Sequence, residues 1–191
     1  MLLRFRFGAT LLTAALVLGG CASPARMEKM SADTSDFGSH VPPDTPLKGE
    51  LRVGPVLGGK STSPLWTSQV SNEGFRAALE ASLRNAQLLA ELQSQADYEL
   101  TATLVKVDQP LVGASMTVTT TVSYRLQNTR TREIVFDENI EAPYTAAFDE
   151  AFLGAERLRI ANEGSVKSNI GKLIQRLYQL KIEPGKLSTN Y

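Results

Sequence analysis

From Ser115 to Gln127 the side chains change character at every step. Met116, Val118, Thr120, Val122, Tyr124 and Leu126 fall on one side, and Thr117, Thr119, Thr121, Ser123 and Arg125 on the other. A period of two cannot wrap onto a helix, whose faces recur every ~3.6 residues, so this stretch is a strand with one buried face and one wet, threonine-lined face. Asp97 to Val107 repeats the pattern, with Tyr98, Leu100, Ala102 and Leu104 against Glu99, Thr101 and Thr103. Asn128 to Arg130 reads as a turn, and Glu133 to Ile140 returns through Ile134, Phe136 and Ile140. Together they predict an antiparallel meander with a single apolar face.

Something must cover that face. Ser71 is a helix N-cap, and Val70 before it can staple onto Phe75. Phe75, Leu79, Leu83 and Ala86 then recur at helical spacing. A longer helix runs from about Ala155 to Leu180, with Val166, Ile170, Leu173, Leu177 and Leu180 in one stripe. Gly164 and Gly171 inside it cost about 1 kcal/mol each against Ala, tolerable if they allow close approach to the sheet. Gly49 to Leu57 is a first strand with Leu51, Val53 and Val56 inward, and Pro55 confines it to an edge or an end. The expected fold is α+β: a two-layer sandwich whose antiparallel sheet, in β-α-β-β-β-α order, carries two helices on one face.

The amino terminus carries different information. Arg4 and Arg6 precede an apolar run from Leu11 to Leu18, and Leu18-Gly19-Gly20-Cys21 follows. The run is too short to span a bilayer and reads as a signal. Its end resembles the lipobox of bacterial lipoprotein precursors, in which small residues precede a thiol that accepts a diacylglycerol. Cys21 is the chain's one cysteine. The resemblance implies cleavage before Cys21, acylation of its sulfur and attachment to a membrane by several acyl chains, which anchor far more firmly than one. Ala22 rather than Asp follows it, which in such lipoproteins favours the periplasmic face of the outer membrane.

Domain boundaries follow. Residues 1–20 are the signal, and 21–47 the lipidated cysteine with a tether rich in Ser, Pro, Asp and Thr. Residues 48–183 are the globular domain and 184–191 a polar tail. As a flexible coil the tether would span about 28 Å root-mean-square, and as polyproline II on the order of 80 Å.

Loss of Arg4 and Arg6 leaves a slightly acidic mature chain, so there is no basic excess for nucleic-acid binding. With Cys21 acylated no thiol remains for a disulfide or a cysteine metal site. The single histidine, His40, cannot build a His-based zinc cluster. No metal and no cofactor is expected.

The domain resembles a group of small envelope lipoproteins that includes TolB amino-terminal-like domains, lipoprotein activators of cell-wall synthases and auxiliary lipoproteins of lipid-transport ABC systems. The residues that carry the likeness are Phe75-Arg76-Ala77-Ala78-Leu79 with Ser82-Leu83, Ala96-Asp97-Tyr98-Glu99-Leu100, Val122-Ser123-Tyr124-Arg125-Leu126, and Asn169-Ile170 with Leu173-Ile174 and Leu177. It covers residues 48 to 182 and rests on core positions, which report fold more than activity. It implies a non-catalytic protein that binds another envelope component, a protein or a transported lipid.

Three other chemistries compete. Gly54 to Ser61, GPVLGGKS, matches the GxxxxGKS phosphate loop, although Ser63-Pro64-Leu65-Trp66 intervenes before the helix that should hold the phosphate. Asp137-Glu138 and Asp149-Glu150 are carboxylate pairs that a hydrolase or glycan-binding site could use, but neighbours along a strand face opposite ways. There is neither a GxSxG motif nor a Cys-His pair, so no catalytic residue is assigned. Finally, Trp66, Tyr144, Phe148 and Phe152 lie in the loops before the two helices. They form either an exposed patch for a partner or a lid over the open end of the core. Arg157 and Arg159 flank them and can pair with Glu156 or Glu163.

Overall fold

The computed structural model describes residues 22–38, 42, 45–62, 69–110 and 113–182. The signal, Cys21, His40, Trp66 and the tail 184–191 lie outside the described residues. Strands β1 (Leu51–Leu57), β2 (Tyr98–Asp108), β3 (Met116–Asn128) and β4 (Ile134–Ala146) make one sheet in the order β1-β2-β3-β4. Its helices are α1 (Met27–Met30), α2 (Thr34–Phe37), α3 (Asn72–Asn85) and α4 (Gly154–Gln179).

The α+β sandwich stands, but the sheet is mixed. β2, β3 and β4 pair antiparallel as a meander, whereas β1 pairs parallel to β2. The cause is α3, which carries the chain back across the sheet so that the second strand restarts in the direction of the first. β1 is an edge strand, and Pro55 sits exposed where its register slips between Val53 and Val56. β4 runs on through Pro143 and Tyr144, beyond the loop expected there. It too is an edge strand, where proline is tolerated.

Side-chain alternation places the core as expected. Leu100, Val122, Tyr124, Leu126, Phe75, Leu79, Leu83, Val166, Ile170, Leu173 and Leu177 are buried in one cluster. Ser71 caps α3, its hydroxyl accepting from the Gly74 amide at 3.0 Å. α4 is fixed over the sheet by a polar seam within this apolar layer. The Ser165 hydroxyl accepts from the Thr120 amide at 2.9 Å and donates to the Ala142 carbonyl at 2.7 Å. Asn169 donates to the Ile140 carbonyl at 2.8 Å and accepts from the Tyr124 phenol at 2.9 Å. Every member is partnered, so burial costs little and the helix register is specified. Gly164 allows α4 to meet the Tyr144 ring: a Cβ there would stand 2.5 Å from it. Gly171 serves a different neighbour, since its surface faces Asp36 of α2 rather than the sheet.

The largest departure is the segment read as a tether. Met30, Ala32, Phe37 and Leu47 are buried members of the core cluster, and Ala22 is also buried. The Ala32 amide donates to the Ser82 hydroxyl at 2.8 Å, and Asn85 donates to the Ala32 carbonyl at 3.0 Å. The Phe37 ring meets Tyr178 edge-on, centroids 6.1 Å apart. Each large apolar side chain buried this way contributes about 1.5–3 kcal/mol. Residues 22–38 are therefore part of the domain, not a spacer below it.

Candidate functional site

The amino-terminal segment is docked along α4 in a definite direction. Arg26 meets Glu163, Asp33 and Asp36 meet Lys167, and Gln175 donates to the Asp36 carbonyl. The chain therefore runs toward the C-terminal end of α4 as it leaves Arg26. The Ala25 amide, donating to the Gln69 carbonyl at 3.3 Å, ties the segment to the approach to α3.

Glu163 is the centre of the attachment. It is almost fully buried and accepts the Arg26 amide at 2.9 Å and the Arg26 guanidinium at 3.0 and 3.2 Å. Arg159, also buried, reaches the same carboxylate at 3.0 Å and pairs with Glu156. Hydrogen bonding to Glu163 raises the pKa of the Arg26 guanidinium against the opposing effect of burial. Arg157 pairs with neither acid. It donates to the Ala151 and Phe152 carbonyls at 2.7 and 3.0 Å and lies over the Phe148 ring, 4.9 Å from its centroid.

That arginine supports the turn 147–153, which joins β4 to α4. The four aromatic candidates separate here. Tyr144 is half-buried against α4 and closes the core. Phe148 is 55% exposed and Phe152 88% exposed, and Leu153 beside them is 57% exposed, a residue the sequence reading passed over. Trp66 lies outside the described residues. Three large apolar side chains thus stand in solvent at the end of the molecule where α4 begins, beside the β2-β3 connection that Arg157 touches at the Gly113 carbonyl.

The competing sites are occupied by structure. In the glycine-rich segment, Gly54 lies inside β1, and the Val53 and Gly54 carbonyls accept from Arg76. The Gly59 amide donates to the Asn72 side chain at 2.7 Å, and the Lys60 amide to the Val70 carbonyl at 2.9 Å. A phosphate cradle needs those amides free, so the GxxxxGKS match is not a nucleotide loop. Gly58 has its own requirement: φ is +83°, and a Cβ there would lie 2.2 Å from the Leu104 carbonyl oxygen.

Asp137 pairs with Arg125 at 2.8 Å and Glu138 faces Arg176 at 3.7 Å. Glu150 accepts from the Ala147 amide at 2.7 Å. The acidic pairs therefore do not converge on a cleft, and the hydrolase reading loses its residues. Among the described residues no group of three or more His, Cys, Asp or Glu could hold a metal ion. An open depression lined by Lys48, Glu50, Gln87, Leu89 and Leu92 lies at the opposite end of the sheet.

No family model matches the chain, and no curated protein does. Solved structures do. Protein XCC0632 from Xanthomonas campestris, described with the family model DUF330, superposes with a TM-score of 0.54 at 10% identity, covering 72% of this chain and 89% of that one. Protein CT253 from Chlamydia trachomatis gives a TM-score of 0.49 at 12% identity, over 70% and 97%. A minor lipoprotein from Acinetobacter baumannii gives 0.42 at 10% identity, over 70% and 94%. The first of these shows that the sandwich is a fold already seen in a bacterial protein.

Proposed function

We propose that this chain is a lipid-anchored envelope lipoprotein, acylated on Cys21, whose domain binds another envelope component through its apolar end and performs no chemistry of its own. The observation that carries the reading is the placement of the one cysteine: it closes a signal-like segment and directly precedes Ala22, which is buried. Support comes from the remainder of the molecule. Its buried polar groups hold α4 and the amino-terminal segment in place, and its glycine-rich loop, Asp137, Glu138 and Glu150 are committed to internal partners. Among the described residues, Phe148, Phe152 and Leu153 form a run of exposed apolar side chains in one turn, which an outside partner could meet.

Ala22 after the acylated residue favours the outer membrane, with the domain in the periplasm. The test is expression with the native signal in a Gram-negative host fed an alkyne fatty acid, followed by density separation of the two membranes. The expected product is labelled and sediments with the outer membrane, and Cys21→Ser abolishes label and membrane association together. An unlabelled, soluble wild-type product would refute the reading.

A further inference from the structure

The docked amino-terminal segment has its Arg26 end toward the start of α4, where the apolar turn stands. Residues 26 to 36 follow α4 from Glu163 to Gln175, so Arg26 is the part of this segment nearest the start of the helix. Glu163 is only about 13 Å of helix from Gly154 at the usual rise per residue. Ala25 is hydrogen-bonded to Gln69, which leaves at most about 14 Å of extended chain between Ala25 and Cys21. A leash this short cannot lift the domain off the surface that holds the acyl chains.

The exposed apolar residues are distributed unevenly. Phe148, Phe152 and Leu153 form the turn at the start of α4, and Leu57 and Val105 lie toward the same end on the outer sheet face. Among the described residues only Leu92, at the other end, completes the set of exposed large hydrophobics. We infer that the turn carrying Phe148, Phe152 and Leu153 lies in the interface of the bilayer that holds the acylated Cys21, with the Phe152 ring among headgroups and upper acyl chains. This rests on acylation of Cys21 and deepens that reading by naming the bilayer itself as the component met by the apolar end. Apolar side chains at the headgroup boundary add buried area to the acyl anchor and fix orientation, as they do in interfacial segments generally. The turn is suited to such contact. Arg157 satisfies two of its carbonyls from beneath, and Glu150 turns back onto the Ala147 amide.

The test uses the full chain, acylated through its native signal and reconstituted in vesicles of phosphatidylethanolamine and phosphatidylglycerol. With the natural sulfur blocked by lipid, Phe152→Cys or Leu92→Cys supplies a single thiol for a nitrobenzoxadiazole probe. Leu153→Cys serves as a second reporter of the turn. Doxyl-labelled phosphatidylcholine is the quencher. The expected result is blue-shifted emission at 152 and 153, quenched several-fold more strongly than at 92. Water-like emission at 152 and 153, with quenching no greater than at 92 in a protein whose mass confirms acylation, would overturn the proposal and leave the anchor intact. A blue shift that depends on protein-to-lipid ratio and resists lipid quenching would mean that a second copy covers the turn, which also overturns it. A free Cys21 thiol in the mass spectrum would remove the anchor and the proposal together.

Discussion

The Glu163 carboxylate is held by Arg26, 137 residues earlier in the chain, through three hydrogen bonds of 2.9 to 3.2 Å. The bond joins the first described segment to the helix that covers the sheet. Removing the acid takes from the nearly buried Arg159 one of its two carboxylate partners and leaves it Glu156 alone. Glu163→Ala should therefore lower unfolding free energy by about 3 kcal/mol, the cost of breaking a buried pair from one side. Arg26 is half-exposed, and Arg26→Ala should cost only about 1 kcal/mol. It should also open the 22–26 segment to protease, read by limited proteolysis beside urea unfolding. Unchanged cleavage there would contradict the docking.

Gly164 and Tyr144 form a contact with no spare volume. A methyl at 164 would overlap the ring at 2.5 Å, so Gly164→Ala should destabilise by about 1–3 kcal/mol despite its better helix propensity. In combination with Tyr144→Ala the penalty should shrink, giving a clearly non-additive cycle. Additive losses would show that the ring is not the obstacle.

Tyr124 is buried, and desolvation drives its phenol pKa upward; Tyr178 is shifted the same way. In the unfolded chain these groups lose their protons near pH ~10. Above that pH the unfolded state binds fewer protons than the native state, so stability falls as pH rises. The contribution is intact below pH ~10 and declines beyond it. Tyr124→Phe should flatten that alkaline decline while costing about 1–2 kcal/mol at neutral pH, because the Asn169 side-chain oxygen loses its donor. Denaturation curves at a series of pH values check both. An alkaline limb of unchanged slope would show that Tyr124 does not contribute to it.

The elements that emerged from sequence are those whose period is long enough to read. β3 repeats its alternation over its whole length, and α4 holds its stripe from Val166 to Leu177, so strand, helix and core face were all visible. α1 and α2 are single turns, and Met30, Ala32, Phe37 and Leu47 enter the core from irregular backbone. No period marks such residues, and the Ser/Pro-rich composition around them mimics a linker. The parallel pairing of β1 was recoverable in principle, because a strand-helix-strand order is the usual crossover between parallel neighbours. In the turn before α4, Phe148 and Phe152 were legible by type and position as candidates for an exposed apolar patch, and both are exposed. Leu153 was missed, and the Arg157 support beneath them depends on a fold-specific contact that spacing cannot show.

Lys60 is exposed and its amide is bound to Val70. Lys60→Ala should shift unfolding free energy by less than about 0.5 kcal/mol. Neither form should gain thermal stability with ATP and magnesium. A nucleotide-dependent rise in Tm that Lys60→Ala removes would restore the phosphate-loop reading.

Intact mass of the amino-terminal peptide from membrane-purified protein tests the anchor most directly. The expected species begins at Cys21 and carries the mass of a diacylglyceryl thioether and an amide-linked acyl chain. A peptide beginning upstream of Cys21 with an unmodified thiol would contradict it.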